Sequence, residues 1–140
     1  MLITGREVEI DWGDCDPAGI VFYPRYFALF DASTAYLFER ALGCKKIVWT
    51  RKYGIVGIPI VDTGARFMVT SHFGDIVHIE TQVKELRRSS FDVEHRVMKD
   101  GVTAVEAHET RVWAARHPED PDRIKGEPIP AEVVAALSDF

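Results

Sequence analysis

The spacing of apolar residues changes along the chain, and each change predicts a different element of secondary structure. Residues 7–12 alternate polar and apolar side chains, which predicts a half-buried strand. Residues 24–42 place apolar side chains at helical spacing, from Pro24 to a stop at Gly43. The aromatic residues in this segment are typical of a helix that is covered by a sheet. We therefore predict one strand followed by a long central helix.

The second half of the sequence follows the period of strands. Residues 44–54 are a connector, with or without a short helix, and residues 55–69 are an extended segment that Pro59 interrupts. Three strands, a loop rich in charge and proline and a short helix are predicted in turn at residues 76–86, 91–98, 102–115, 116–130 and 131–137. This pattern predicts a four-stranded meander after the long helix. The fold class is α+β, with an antiparallel sheet packed on one main helix.

Composition narrows the class of protein further. Of the 140 residues, 46% are hydrophobic and 28% charged, which is typical of one soluble globular domain spanning residues 1–140. A net charge of −5 argues against general nucleic-acid binding. There is neither an apolar run of membrane-spanning length nor a signal-peptide pattern, so we expect a cytoplasmic protein without a membrane partner. Cys15 and Cys44 are then expected to be free thiols.

The turn before the predicted helix carries the strongest chemical signal. Asp16 precedes Pro17, which fixes its own φ, and Gly19 supplies the conformational freedom that a sharp reversal needs. Because Pro24 suits the first turn of a helix, the amides of residues 21–23 are expected at the positive end of the helix dipole. There they can stabilise an oxyanion. The arrangement indicates a catalytic carboxylate, and the alternative is an Asx-turn residue that only caps the following backbone.

A family resemblance is carried by the sequence GDCDPAGIVFYPRY at residues 13–26. It resembles the active-site segment of the 4-hydroxybenzoyl-CoA thioesterase family. Shorter similarities follow at residues 54–61 (GIVGIPIV), 85–91 (ELRRSSF) and 127–137 (EPIPAEVVAAL). The resemblance implies a hotdog fold, in which an antiparallel sheet wraps around one long central helix. It also implies a homo-oligomer, a dimer or a dimer of dimers, with active sites at the subunit interface.

The resemblance also implies a reaction and the residues that perform it. The substrate would be an acyl-CoA thioester, 4-hydroxybenzoyl-CoA or a related aryl-CoA, and the products the free acid and CoA. Asp16 corresponds to the carboxylate that attacks the thioester as a nucleophile or activates water as a general base, and both mechanisms stay open. The main-chain amide of Tyr23 corresponds to the donor that polarises the thioester carbonyl. No separate cofactor is expected, because CoA is part of the substrate.

Two further residues are candidates for contact with the acyl group. By the resemblance, Asp31 corresponds to an aspartate that accepts a hydrogen bond from the 4-hydroxyl group of the substrate. The alternative is a charge on the helix surface, since a lone buried carboxylate is costly. Trp49 is a candidate wall of the acyl pocket, and the alternative for this residue is simple packing.

The candidate CoA-binding residues are Arg87, Arg88, Ser89 and Ser90. Guanidinium and hydroxyl donors suit the 3′-phosphate and the pyrophosphate of CoA, and the corresponding region of the family contacts the nucleotide. Ser89 stands where a lysine can occur in the family, which leaves the number of charged contacts open. The alternative is a solvated hairpin tip.

A metal site is not expected. Asp14 and Asp16 form an Asp-x-Asp pair, but neither a histidine cluster nor a further acidic group accompanies them at ligand spacing. We expect Asp14 to cap or brace the turn. Cys15 is expected to be a small packing residue, because no base is evident beside it.

Two other functions stay open. A short-chain acyl-CoA thioesterase of the Tol-Pal-associated type has a similar motif, but it usually carries a histidine where Pro24 stands here. A non-catalytic acyl-CoA binding module would keep the pair Arg87 and Arg88 and would tolerate the loss of Asp16. A hotdog dehydratase is disfavoured, since the helix and its entry turn lack a convincing counterpart of the catalytic histidine.

Overall fold

A five-stranded antiparallel sheet with a long helix against one face dominates the structure. The computed structural model describes residues 1–138, so the last two residues of the predicted domain 1–140 lie outside the described part. The elements in chain order are β1 (Ile3–Glu9), a 3₁₀ turn (Trp12–Asp14), α1 (Tyr23–Leu42), α2 (Lys46–Tyr53), β2 (Ile60–Phe67), β3 (Ile76–Leu86), β4 (Ser90–Lys99), β5 (Val102–Val112), β6 (Ala114–Arg116), β7 (Ile124–Gly126) and α3 (Ala131–Ser138).

The strand order corrects the predicted meander. The sheet runs β1-β3-β4-β5-β2, so only β3, β4 and β5 form a meander. β2 pairs with β5 at the far edge, with Phe67 opposite Val105. The chain then crosses the end of the sheet to reach β3, and Ser71 in this crossing accepts a hydrogen bond from Val21 at 2.9 Å. β1 and β4 occupy the two sides of β3, so β2 lies beside β5 instead.

Local signals explain where α1 begins and ends. Pro24 lies in its first turn, and Gly43 closes it with φ 73°, a left-handed conformation that favours glycine. β1 lies earlier in the sequence than the predicted strand at residues 7–12, because residues 10–12 leave the sheet and enter a 3₁₀ turn that Asp11 caps. The predicted loop 116–130 also contains a strand, β7, which pairs with β6.

The core between α1 and the sheet has two apolar clusters, one towards each end of the helix. Alternate residues of β3 and β4 point inward, as a side-chain period of two requires. The cluster near the start of α1 includes Tyr26, Phe30, Val77 and Val97, and the cluster near its end includes Phe38, Trp49, Phe91 and Trp113. The inward positions between these two clusters are polar.

This buried polar layer consists of Thr34, Thr81, His95, Glu109 and Arg111, and each residue is at most 2% exposed. Glu109 Oε1 accepts a hydrogen bond from the Thr34 hydroxyl at 2.6 Å and lies 3.1 Å from His95 Nε2. His95 Nδ1 lies 2.9 Å from the Thr81 hydroxyl. Arg111 donates to both carboxylate oxygens of Glu109, at 3.1 and 2.8 Å. The layer therefore joins α1 to the three neighbouring strands β3, β4 and β5.

The charges of the layer are stabilised by one another. Burial by itself would raise the pKa of Glu109, but hydrogen bonds from His95 and Arg111 outweigh this effect and lower the pKa to about 2. Burial would likewise lower the pKa of Arg111, and its bonds to Glu109 and Asp31 raise that pKa instead. The stability that Glu109 contributes is present above its ordinary pKa of 4.5 and is lost as the pH falls through about 2.

Glu109→Gln is expected to lower the free energy of unfolding at pH 7 by about 3 kcal/mol, because it leaves the buried guanidinium of Arg111 without its main partner. It should also remove part of the loss of stability between pH 4.5 and about pH 2. Denaturant unfolding across this pH range measures both effects. Glu106→Gln changes an exposed carboxylate on the same strand and is the matched control. An acid transition of unchanged depth in Glu109→Gln would contradict the prediction.

Candidate active site

The turn at Asp16 has the backbone geometry that its sequence predicts. The main-chain oxygen of Asp16 accepts a hydrogen bond from Gly19, and its main-chain N–H donates to Ile20, both at 2.9 Å. Pro17 occupies the second position of this turn, where its fixed φ is favourable. Gly19 adopts φ 83°, which a residue with a side chain rarely does. The turn therefore holds Asp16 at the base of a short, closed loop.

The carboxylate of Asp16 has one oxygen engaged and one free. Oδ1 accepts a hydrogen bond from the N–H of Ala18 at 2.8 Å, so Asp16 is an Asx-turn residue. Among residues 1–138, Oδ2 has no hydrogen-bond partner. The side chain is partly exposed. The bond to Ala18 fixes the orientation of the carboxylate, and this leaves the second oxygen available to a substrate or a water molecule.

The loop leads directly into the first turn of α1. Phe22 is the N-cap residue, and its N–H donates to the main-chain oxygen of Asp14 at 2.8 Å. The Asp14 carboxylate accepts from the N–H of Asp11 at 3.1 Å and lies 3.5 Å from Arg25 Nε, so Asp14 braces the turn as predicted. The N–H of Tyr23 has no acceptor within the described chain. This donor therefore lies free at the positive end of the helix.

A small apolar cavity of about 250 Å³ lies beside Tyr23. Its walls come from the entry to α1, which includes Ile20 and Val21, and from the end of β2 and the crossing that follows, which include Phe67 and Val69. Pockets for drug-sized ligands start at about 300 Å³. The size and the apolar lining suit one ring or a short acyl chain.

Asp31 lies two turns of α1 further on, outside the lining of this cavity. Its side chain is 57% exposed, as the surface alternative expects. Oδ1 nevertheless accepts a hydrogen bond at 2.9 Å from Arg111, whose side chain is only 3% exposed. Asp31 is thus an exposed carboxylate that is held by a buried cation.

Trp49 lies in the apolar core. It is fully buried there, and its ring stacks on Phe38 at 5.3 Å and on Trp113 at 5.8 Å between ring centroids. This environment supports the packing alternative within the described chain, and a role of Trp49 as a wall of the acyl pocket stays a prediction.

The candidate CoA-binding segment forms the tip between β3 and β4. Arg87 is occupied, because it donates to Asp92 at 3.0 and 2.6 Å and lies 3.1 Å from Glu85. The bond to Asp92 raises the pKa of Arg87. The hydroxyl of Ser90 accepts from Arg87 at 2.8 Å. Arg88 is exposed and has no ion pair within residues 1–138. Arg88 is thus the cation of this segment that is free to meet a ligand.

Ser89 is held through its main chain. Its carbonyl oxygen accepts a hydrogen bond from the N–H of Trp113 at 2.7 Å, and the side chain is partly buried. The carbonyl oxygen of Arg88 accepts similarly from Ile129 at 2.8 Å. The tip is therefore fixed on the segment before α3, and the arginine side chains project from a defined backbone.

Sequence reasoning did not identify Arg111 and Glu109. The sequence carried a signal, because Glu109 and Arg111 lie at the same alternate positions as Ala107 in β5 and Trp113 just after it. Two charged residues at inward positions of a strand indicate a buried ion pair.

Within residues 1–138, no group of three metal-ligating side chains lies close enough to hold a metal ion. In the same part of the chain, no helix is long and apolar enough to span a membrane.

Gly19→Ala is expected to lower the free energy of unfolding by about 1 kcal/mol, because alanine at φ 83° is strained. The loss should not be larger, since no atom within 4 Å would obstruct the added Cβ. The substitution should also slow the turnover of the CoA thioester that the sequence resemblance implies as substrate by about tenfold or more, since the strain displaces the Asp16 turn. Gly43→Ala is the matched control, with φ 73° and equally open surroundings at the far end of α1. We expect a similar loss of stability in the control and normal turnover. Equal turnover in both variants would contradict a role of the turn.

The chain is similar to thioesterases of known structure. A 4-hydroxybenzoyl-CoA thioesterase from Pseudomonas sp. (strain CBS-3) is 36% identical over 138 residues, which cover 93% of this chain and 94% of that protein. The structure of a 4-hydroxybenzoyl-CoA thioesterase from that strain matches with a TM-score of 0.87 and 34% identity, covering 96% of this chain and 98% of the other. A gentisyl-coenzyme A thioesterase matches with a TM-score of 0.81 and 31% identity, over 97% and 100% of the two chains.

These matches confirm the hotdog fold that the sequence resemblance predicts. They also agree with the observed sheet packed on α1. The sequence profile of the Thioesterase-like superfamily matches residues 10–137, which include the Asp16 turn, α1 and the whole β3–β5 meander. The chain therefore belongs to the Thioesterase-like superfamily and is a thioester hydrolase.

Proposed function

We propose that this thioesterase hydrolyses an aryl-CoA thioester, with 4-hydroxybenzoyl-CoA as the first candidate, to the free acid and CoA. One observation carries the proposal: the loop that holds the free oxygen of Asp16 leads directly into Tyr23, whose N–H is free and which lines an apolar cavity. The similar proteins named as 4-hydroxybenzoyl-CoA and gentisyl-coenzyme A thioesterases support an aryl-CoA substrate. The proposed reaction requires no cofactor, because it consumes only the thioester and water.

The loop can serve either of two mechanisms. As a nucleophile, the free oxygen of Asp16 attacks the thioester carbonyl carbon, the carbon–sulfur bond breaks, and CoA leaves as a thiolate. The mixed anhydride that remains is hydrolysed by water, which restores the carboxylate. As a general base, Asp16 instead accepts a proton from the water that attacks the same carbon. The bond from Ala18 orients the carboxylate in both cases.

Negative charge that develops on the carbonyl oxygen would be stabilised by the N–H of Tyr23. This donor lies at the start of α1 and needs no rearrangement to meet an oxyanion, because it has no acceptor in residues 1–138. Losing one such donor typically costs about 3 kcal/mol in the barrier. A change of side chain leaves the amide in place, so Tyr23→Phe is expected to be mild.

We assign recognition of the aryl hydroxyl to Asp31. Asp31 is eight positions after Tyr23 on α1, a rise of about 12 Å along the helix axis.

A second copy of the chain is expected to complete the site. β2 is an edge strand whose outer side has no strand partner in the described chain, and two of its apolar side chains, Val61 and Phe67, are exposed. An exposed apolar edge of this kind favours pairing with another chain. We therefore propose a homodimer or a dimer of dimers.

For CoA we propose Arg88 as the main phosphate contact. Arg87 is neutralised by Asp92 and Glu85, so its contribution requires that these ion pairs open. Ser89 and Ser90 can add weaker hydroxyl contacts. This assignment predicts fewer charged contacts than two free arginines would supply.

A short-chain acyl-CoA thioesterase is the second candidate, because a cavity of about 250 Å³ also suits a short aliphatic chain. The deciding experiment measures kcat/KM by release of free thiol from 4-hydroxybenzoyl-, benzoyl-, phenylacetyl- and short aliphatic-CoA. A clear preference for aryl substrates supports the proposal. A preference for aliphatic substrates favours the second candidate, and binding without turnover favours a non-catalytic module.

Asp16→Asn is expected to abolish turnover and to keep the affinity for a CoA ester within about tenfold. Asparagine retains an oxygen that can accept from Ala18, so the turn should persist while the anionic oxygen is lost. Thiol release and equilibrium binding of the substrate measure the two effects. Tyr23→Phe is the control on the same loop, and near-normal turnover in Asp16→Asn would refute the assigned role.

Asp31→Ala is expected to lower kcat/KM for 4-hydroxybenzoyl-CoA by about tenfold or more and to leave benzoyl-CoA largely unaffected. Only the first substrate offers a hydroxyl to the carboxylate, and a hydrogen bond to a charged group is worth about 1.5–3 kcal/mol. Parallel assays of the two thioesters give the ratio. Equal losses on both substrates would point to a packing role of Asp31.

A further inference from the structure

The exposed carboxylate of Asp31 has its only polar partner, within residues 1–138, in the buried side chain of Arg111. The bond runs from Nη2 of Arg111 to Oδ1 of Asp31, at 2.9 Å. Oδ2 of Asp31 has no partner in the same part of the chain. One oxygen is thus fixed by the protein, and the other is open to a ligand.

The guanidinium of Arg111 has no freedom to follow a moving carboxylate. Its Nε and Nη2 donate to the two oxygens of Glu109, and its Nη1 donates to the main-chain oxygen of Ile58 at 2.9 Å. The planar group is therefore held from three sides, with its remaining Nη2 donor directed at Asp31.

Glu109 is held in turn by α1 and by β4. The Thr34 hydroxyl donates to it at 2.6 Å, and Thr34 lies one turn after Asp31 on the same helix. His95 Nε2 lies 3.1 Å from the same carboxylate, and its ring stacks on Phe30 at 4.8 Å between centroids. Since a carboxylate can only accept, His95 Nε2 carries a proton and donates it to this contact. The chain of bonds leaves α1 at Asp31 and returns to it at Thr34.

We infer that Arg111 is a positioning residue for substrate selection: it fixes Asp31 through Oδ1, so that Oδ2 accepts a hydrogen bond only from a donor at one position of the acyl ring. This inference rests on the proposed function, in which Asp31 meets the aryl group. Asp31, Arg111 and Glu109 together carry one net negative charge. The site therefore favours a neutral donor, such as a phenol or an aniline. It disfavours a carboxylate, which the negative charge repels, and a methoxy group, which has no hydrogen to donate.

The test compares Arg111→Lys with Arg6→Lys. Lysine keeps the charge beside Glu109, but a single ammonium group cannot maintain the whole set of bonds. Arg6 is the matched control, because this half-buried arginine donates to Ser33 and to the main-chain oxygen of Leu29 on α1 without contacting Asp31. We expect the ratio of kcat/KM for 4-hydroxybenzoyl-CoA over benzoyl-CoA to fall about tenfold in Arg111→Lys and to stay unchanged in Arg6→Lys.

The double variant Asp31→Ala with Arg111→Lys separates positioning from stability. If Arg111 acts through Asp31, the ratio in the double variant equals that in Asp31→Ala alone. A lower melting temperature with an unchanged ratio in Arg111→Lys would overturn the inference. A wild-type protein that does not distinguish the two substrates would instead overturn the proposed substrate. The two failures are therefore distinguishable.

A second measurement needs only the wild-type protein and is available if Arg111→Lys does not fold. A fixed Asp31 is expected to select for position, so kcat/KM for 4-hydroxybenzoyl-CoA should exceed that for 3-hydroxybenzoyl-CoA about tenfold. 4-Aminobenzoyl-CoA should be accepted and 4-methoxybenzoyl-CoA rejected. Equal rates on the 3- and 4-hydroxy substrates would overturn the inference, because a mobile carboxylate would reach both.

Discussion

The ion pair between Glu109 and Arg111 is the constraint on which the rest of the structure depends. Burying two charges is costly, and their attraction offsets the cost only when the remaining donors and acceptors are also satisfied. The carboxylate of Glu109 meets this condition through Thr34 and His95, and the guanidinium of Arg111 does so through Asp31 and the main chain. Any displacement of α1 along the sheet would break these bonds, whereas apolar contacts alone would tolerate some sliding.

The position of α1 in turn determines where the proposed reactive groups lie. Its first residue, Tyr23, presents a free amide, and its entry loop carries Asp16. The loop is itself fixed on the crossing between β2 and β3, through the bond from Val21 to Ser71. The polar layer and this crossing therefore hold the helix at two separate points, one in the core and one at its N-terminus. A loop held in this way can keep a carboxylate and an amide at constant separation.

The parts of the fold that were predictable depend on neighbours in sequence. The Asp16 turn follows from Pro17 and Gly19, and the end of α1 follows from Gly43. The parts that were missed depend on distant partners. The sequence of β2 predicts an extended segment, and nothing within it specifies pairing with β5. Trp49 was ambiguous for the same reason, since only the fold brings it between Phe38 and Trp113.

The same division separates chemistry from selectivity in the site. The groups assigned to bond cleavage are a side chain on a tight turn and a main-chain amide at a helix start, both of which local sequence can specify. The group assigned to substrate selection is a carboxylate whose direction is set by a residue 80 positions away. A motif search therefore finds the reaction class more readily than the substrate. We therefore expect substitutions at Arg111 or Glu109 to change the substrate selectivity that we propose for Asp31, while the motif around Asp16 stays intact.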